Sequence, residues 1–222
     1  LESGRFGADN EHVILEARRS GTSAVWRVSL PEFLRYCEDP GDDADPWYAK
    51  HWTVSDRLAE FVGSPQPIAF RSWLDHLPER IRPAWDWVFV GPPNSRSPLH
   101  VDVMCSSAWN GLIKGRKEWR VLSPTAAAAA ALIEPQLLET LGAADTEPYE
   151  LTVVQEPGDL LVVPSLWAHQ VVNSQPSIAV TGNFVNGDNV RVVERYLEIS
   201  GRASWLSALR QIRSALTEGS IA

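Results

Sequence analysis

The chain has 222 residues, 44% hydrophobic and 22% charged, the composition of a folded globular protein rather than a disordered one. Its 20 basic and 28 acidic residues leave a net charge of −8, so no basic surface dominates and nucleic acid is not an expected partner. The length suits one domain with its own core, expected over 1–222 as an N-terminal helical cover (1–84), a β core (85–189) and C-terminal helices (190–222).

Residues 1–30 read as a lead-in. Leu1–Asn10 lacks the charged-then-apolar pattern of a signal peptide. Cys37 and Cys105 are too few for a disulfide framework or a cysteine zinc site. An intracellular protein, of cytoplasm or nucleus, is expected, and no apolar run is long enough to span a bilayer. Ser29-Leu-Pro-Glu32 fits a capping box and predicts a helix over Pro31–Cys37, with Leu30, Phe33 and Leu34 at helical spacing. Glu38–Pro46 is an acidic turn. Trp52–Gly63 and Ile68–Arg80 read as short helices or irregular covering segments.

From Trp85 the period becomes two. Strands are predicted over Trp85–Val90, Leu99–Cys105, Ala108–Ile113, Glu118–Leu122, Leu151–Gln155, Leu160–Val163, His169–Asn173 and Ile178–Val185. Pro124–Leu141, with alanines from Ala126 to Ala131, reads as a helix between them, and Glu156-Pro-Gly-Asp159 as a type II turn. Many short strands in a chain of this length predict a mainly β fold, a sandwich or jelly roll with helices outside. Helices are predicted over Val190–Ile199 and Ser204–Thr217, the second carrying Trp205, Leu209, Ile212 and Leu216 on one stripe. Ten tryptophans are many for one domain; Trp47, Trp52, Trp85, Trp87 and Trp167 are candidates for a substrate groove, against the commoner alternative of core packing.

The sharpest local feature is His100-Val-Asp102. On a strand, residues two apart share a face, so both side chains can reach one ion, whereas on a helix they would diverge. The tripeptide alone is weak, with about 0.3 occurrences expected by chance in this composition. A two-His-one-carboxylate facial triad needs a third ligand. His12, His51 and His76 lie in the lead-in and the helical cover, and only His169 begins a strand of the same β region. Zinc also accepts this ligand set. In Arg116-Lys-Glu-Trp-Arg-Val121, period two places Lys117 with Trp119 and Val121 on an apolar face that holds no acidic residue. An unpaired buried ammonium is costly, so its partner is either a distant acidic residue or a ligand's carboxylate. Ser97, Asn110, Thr181 and Asn183 flank the same strands and can supply hydrogen bonds.

Several segments carry a resemblance. GPPNSRSPLHVD (Gly91–Asp102), SAWN (Ser107–Asn110), KGRKEW (Lys114–Trp119), and Pro157 through Trp167-Ala-His169 to Thr181-Gly-Asn-Phe184 are similar to JmjC-domain oxygenases. The small branch with the lysyl-hydroxylase/arginine-demethylase type is nearest; Asn183–Asn189 looks more like the sister branch that hydroxylates a lysine of a translation-termination factor. The matches cover roughly residues 85–190, with weaker likeness from Ser29 to Trp52.

The resemblance implies a double-stranded β-helix, the cupin-like jelly roll, with flanking N- and C-terminal helices. It implies Fe(II) held by His100, Asp102 and His169. It further implies 2-oxoglutarate as cosubstrate with dioxygen, the far carboxylate meeting Lys117 and Ser97, with contacts from Asn110, Thr181, Asn183 and Tyr48. Ser97 departs from the threonine of close relatives but keeps the hydroxyl. The activity so implied is hydroxylation, or N-demethylation, of a protein side chain such as lysine or arginine, releasing succinate and CO2. A protein or peptide substrate is expected, with the terminal helices a candidate homodimer surface. Competing readings are a non-oxidative metal cupin (isomerase or hydrolase), a small-molecule hydroxylase and a non-catalytic binding module.

Overall fold

The computed structural model describes residues 13–53, 70–141 and 147–219. Their strands are β1 (Ile14–Arg18), β2 (Val25–Ser29), β3 (Tyr48–Thr53), β4 (Asp86–Gly91), β5 (Arg96–His100), β6 (Ser107–Lys114), β7 (Lys117–Leu122), β8 (Glu150–Gln155), β9 (Leu160–Val163), β10 (Ala168–Asn173) and β11 (Ser177–Phe184). They form two antiparallel sheets, one in the order β2-β1-β3-β4-β11-β6-β9 and the other β5-β10-β7-β8. The eight strands from β4 to β11 fall four in each sheet, the chain changing sheet at every step except β7 to β8, which is the double-stranded β-helix of a jelly roll.

The period-two pattern accounts for the walls. On β7, Lys117, Trp119 and Val121 are buried while Glu118 and Arg120 face solvent. Trp119, Val121, Val163 and Val171 pack between the two sheets. The outer face of the larger sheet buries Val88, Val90, Trp109 and Val180 against Phe33 and Cys37 of helix α1 (Leu30–Glu38). At the Glu156–Asp159 turn, Gly158 has φ 94°, the left-handed backbone that a type II turn requires at that position.

The N-terminal part is not the helical cover expected. Among the described residues before Trp85 it supplies three strands, β1–β3, that widen the larger sheet beyond β4, with α1 as its single α-helix and two short 3-10 turns, Trp73–His76 and Glu79–Ile81. His51 and Trp52 therefore lie on a strand, and most of Trp52–Gly63, like His12, falls outside the described residues. Pairing to a neighbour overrode the irregular reading, because strand propensity is set largely by the sheet that receives it. Ser29 is the N-cap of α1 and Pro31 lies in its first turn, but the serine makes no side-chain cap bond, so the capping box does not form. The alanine run also stops early. Helix α2 spans Pro124–Ala129, Ala131 takes φ 55°, and the chain resumes as a 3-10 turn over Pro135–Leu141.

Helices α3 (Val190–Ile199) and α4 (Ala203–Thr217) close the chain. The α4 stripe of Trp205, Leu209, Ile212 and Leu216 packs within the chain, against Leu74, Leu77, Val193 and Leu197. That stripe is thus not a free homodimer surface. No helix among the described residues is long and apolar enough to cross a membrane.

Candidate active site

The proposed metal ligands meet because their strands pair. β10 runs antiparallel to β5 with His169 directly opposite His100, and the two imidazole centroids lie 4.3 Å apart. The predicted strand over Leu99–Cys105 ends at His100; Asp102 sits just past it in extended backbone (φ −62°, ψ 160°). Extension there preserves the alternation that gives His100 and Asp102 a common side. One ligand atom from each of His100, Asp102 and His169 lies within 4.8 Å of the other two, with His169 Nε2 4.0 Å from Asp102 Oδ2.

Local contacts orient both rings. His100 Nδ1 is 2.7 Å from the Pro98 carbonyl and His169 Nδ1 is 3.5 Å from the Trp167 carbonyl. A carbonyl oxygen only accepts, so each Nδ1 is the donor, the tautomer that in a neutral ring leaves the Nε2 lone pair for a metal. Burial lowers the His169 pKa, opposed by the Asp102 charge and reinforced by His100, which favours the neutral, ligating imidazole. Asp102 Oδ2 is buried and has no hydrogen-bond partner among the described residues. A lone carboxylate oxygen in such a place is costly unless a cation meets it. Two imidazoles, one carboxylate and an orphaned oxygen fit a divalent ion. The donor set is that of non-haem Fe(II) sites and is also accepted by zinc. Beside it, Met104 and Cys105 both take φ 54°, a left-handed backbone that costs non-glycine residues about 1–2 kcal/mol each. Strain of that kind is concentrated at functional sites.

Lys117, at the start of β7, is 1% exposed. Its Nζ donates to Tyr48 Oη at 2.9 Å and to Asn173 Oδ1 at 2.7 Å, both neutral acceptors. Burial, with a further contribution from Lys50, brings its pKa down to about 7. Ser97 is buried and its hydroxyl has no hydrogen-bond partner among the described residues, and Asn110 Oδ1 is buried and orphaned among them. Thr181 Oγ1 donates to the Trp109 carbonyl at 2.6 Å, and Asn183 Nδ2 donates to Ser106 Oγ at 3.0 Å. Lys117, Tyr48, Ser97, Asn110, Thr181 and Asn183 line one cavity of about 410 Å³ between the sheets together with the candidate metal ligands, and Asp102 is the only acidic residue among the described lining.

Of the five candidate tryptophans, Trp85 and Trp87 line the cavity. Trp47 and Trp52 pack on the outer core, and Trp167 packs against the inter-sheet cluster and Tyr149. Sequence reading missed Asn173. It stands opposite Lys117 in the β10–β7 register, is 0% exposed, and donates through Nδ2 to Ser95 Oγ. Its only signal in the sequence was a lone polar residue ending an apolar strand. Lys50 was missed as well, because the strand carrying it was read as cover.

A four-stranded sheet facing the four jelly-roll strands of the larger sheet, with a His-X-Asp…His cluster and a buried lysine between them, defines a jelly roll of the cupin type with a candidate metal site. Residues 87–184 match the family described as "JmjC domain, hydroxylase", and the chain belongs to the JmjC-domain family. It is similar to the lysine-specific demethylase JMJ21 of Arabidopsis thaliana, 34% identical over 183 residues, which are 73% of this chain and 19% of that protein. It is similar also to the 2-oxoglutarate and iron-dependent oxygenase JMJD4 of Homo sapiens (31% over 173 residues, 68% of this chain and 39% of that protein). The bifunctional arginine demethylase and lysyl-hydroxylase psr-1 of Caenorhabditis elegans is 29% identical over 221 residues, 86% of this chain and 54% of that protein. The chain thus spans from about a fifth to about half of the length of these relatives.

Proposed function

We propose that this protein is an Fe(II)- and 2-oxoglutarate-dependent dioxygenase that hydroxylates or N-demethylates a protein side chain such as lysine or arginine. The observation that carries this reading is that the His100–Asp102–His169 cluster and the buried, carboxylate-free Lys117 open onto the same cavity. A zinc isomerase or hydrolase accounts for the cluster but gives the ammonium nothing to bind. Relatives named as a lysine-specific demethylase, an arginine demethylase and a lysyl-hydroxylase support the substrate class. Two buried, unpaired cysteines, Cys37 and Cys105, support an intracellular protein.

When bound, ferrous iron and 2-oxoglutarate supply the oxidising chemistry with dioxygen, yielding succinate, CO2 and one oxygen atom inserted into a substrate C–H bond. The chain's own residues position the partners. His100 and His169 present their Nε2 atoms, and Asp102 brings the charge that holds a divalent cation. With only three protein ligands, such an ion would have room for the cosubstrate and dioxygen. Lys117, fixed by Tyr48 and Asn173, receives the far carboxylate together with the Ser97 hydroxyl. A fixed ammonium in a dry site binds an anion more strongly than a mobile, hydrated one. Thr181 already donates to a backbone carbonyl and so offers only lone pairs to the cavity, whereas Asn110 has its amide oxygen unmet. Trp119, Val163 and Val171 wall the site against water.

The test is succinate formation from 2-oxoglutarate under Fe(II) and air, read with mass spectrometry of lysine- and arginine-bearing peptides for a gain of one oxygen or loss of a methyl group. His100→Ala is expected to abolish both readouts. Wild-type turnover in that variant would remove the metal role assigned to His100.

A further inference from the structure

Lys50 has no role in the reaction as described so far. It lies on β3 two residues after Tyr48, where the pairing with β4 slips. Ala49 stands opposite Val90 and Trp52 opposite Val88, so two residues of β3 span the register of one, Phe89, on β4. This is a β-bulge, a device that re-aims side chains beside active sites. Its effect is visible on the outer face, where Ala49 and Trp52 join one core although three residues apart. Lys50 is left on the inner side and lines the cavity with Tyr48 and Phe89. Its ammonium is 5.6 Å from the centroid of the Tyr48 ring, and that of Lys117 is 5.5 Å from the same ring. Lys50 has no hydrogen bond or ion pair among the described residues, and the partners of Lys117 are neutral. Two like charges facing one poorly hydrated cavity disfavour each other, and an anion placed between them relieves both.

We propose that Lys50 is a second cationic contact for the far carboxylate of 2-oxoglutarate, held by the β3 bulge so that it and Lys117 meet that carboxylate against the Tyr48 ring. The inference rests on the dioxygenase reading and deepens it. Lys117, Tyr48 and Ser97 supply the hydrogen bonds, and Lys50 adds charge that only a 2-oxo acid with a second carboxylate can use. It is a specificity-determining residue.

The experiment is calorimetric titration of the protein loaded with Mn(II) under argon, a binding measurement with no turnover. The probes are 2-oxoglutarate and 2-oxopentanoate, which has a methyl group in place of the far carboxylate. Lys50→Met is expected to raise the Kd for 2-oxoglutarate about tenfold, the scale of one charge-assisted contact, and to leave 2-oxopentanoate within about twofold. Lys50→Arg, which keeps the charge and the strand, is expected to hold 2-oxoglutarate within about threefold. Unchanged 2-oxoglutarate affinity in Lys50→Met overturns the proposal. So does an equal loss for both acids, the mark of a merely structural role, or a loss in Lys50→Arg as large as in Lys50→Met. If the wild-type protein binds neither acid, the dioxygenase reading itself fails; if it binds 2-oxoglutarate and Lys50→Met binds it equally well, only the role of Lys50 is lost.

Discussion

Replacing Lys117 with methionine should stabilise the unliganded protein while destroying cosubstrate binding. In the folded chain the Lys117 pKa falls from 10.5 to about 7, burial being the main cause. A drop of that size corresponds to about 5 kcal/mol held against the charged form at or below pH 7. The sign follows from proton binding. Between pH 7 and 10.5 the unfolded chain keeps the proton that the folded one has released, so wild-type stability rises with pH across that window and is lowest below it. Methionine is one atom shorter, unbranched and uncharged, and escapes the penalty. It leaves the Tyr48 hydroxyl and Asn173 Oδ1 without the ammonium. Allowing for that loss, Lys117→Met should unfold about 2–4 kcal/mol later than wild type at pH 7. The gap should shrink by about 1.4 kcal/mol per pH unit towards pH 9. Urea unfolding of both proteins at pH 7, 8 and 9 measures it. With Mn(II) and 2-oxoglutarate at a hundred times Kd, the wild type alone should gain about 2.7 kcal/mol. A variant less stable than wild type at pH 7, with a difference that does not change with pH, would refute the buried, partner-poor ammonium on which the site depends.

The remaining expectations concern the same pocket. Because Lys117 must be charged to pair with a carboxylate, the Kd for 2-oxoglutarate should rise towards tenfold per unit above about pH 7 and flatten below it; titrations from pH 6 to 9 check this, and a flat profile contradicts it. Gly91 is a second lever, since a Cβ there would lie 2.4 Å from Ser95 Oγ and 2.6 Å from Tyr48 Cδ2. Gly91→Ala should cost about 1–3 kcal/mol by overpacking and, by displacing the tyrosine, weaken 2-oxoglutarate more than it weakens Mn(II). Parallel metal and cosubstrate titrations would show otherwise if both affinities stayed at wild-type values.

The distribution of what sequence reading caught and missed has a physical logic. Alternation of apolar and polar residues is local, so β4 to β11 were recognisable within a residue or two, with β5 the exception at His100. There the chain leaves the ladder for a strained turn while Asp102 stays extended, so the two-residue spacing of His100 and Asp102 worked although the strand beneath it did not continue. The N-terminal strands were hidden because each is short and depends on a neighbour supplied from elsewhere in the chain.

Residue types and their spacing by themselves determined a mainly β fold of sandwich or jelly-roll type, the three ligand candidates, and the oddity of Lys117 on an apolar face. Those properties are carried by the pleat, which any stretch of chain expresses without knowing its partners. Only the tertiary structure decided which strands lie side by side. The pairing of β10 with β5 sets His169 opposite His100, and that of β10 with β7 sets Asn173 opposite Lys117. The bulge in β3 brings Lys50 to the cavity. Register is a relation between distant segments, fixed when both bury their apolar faces at once, and a shift of one residue would turn each of these side chains to the other face of its sheet.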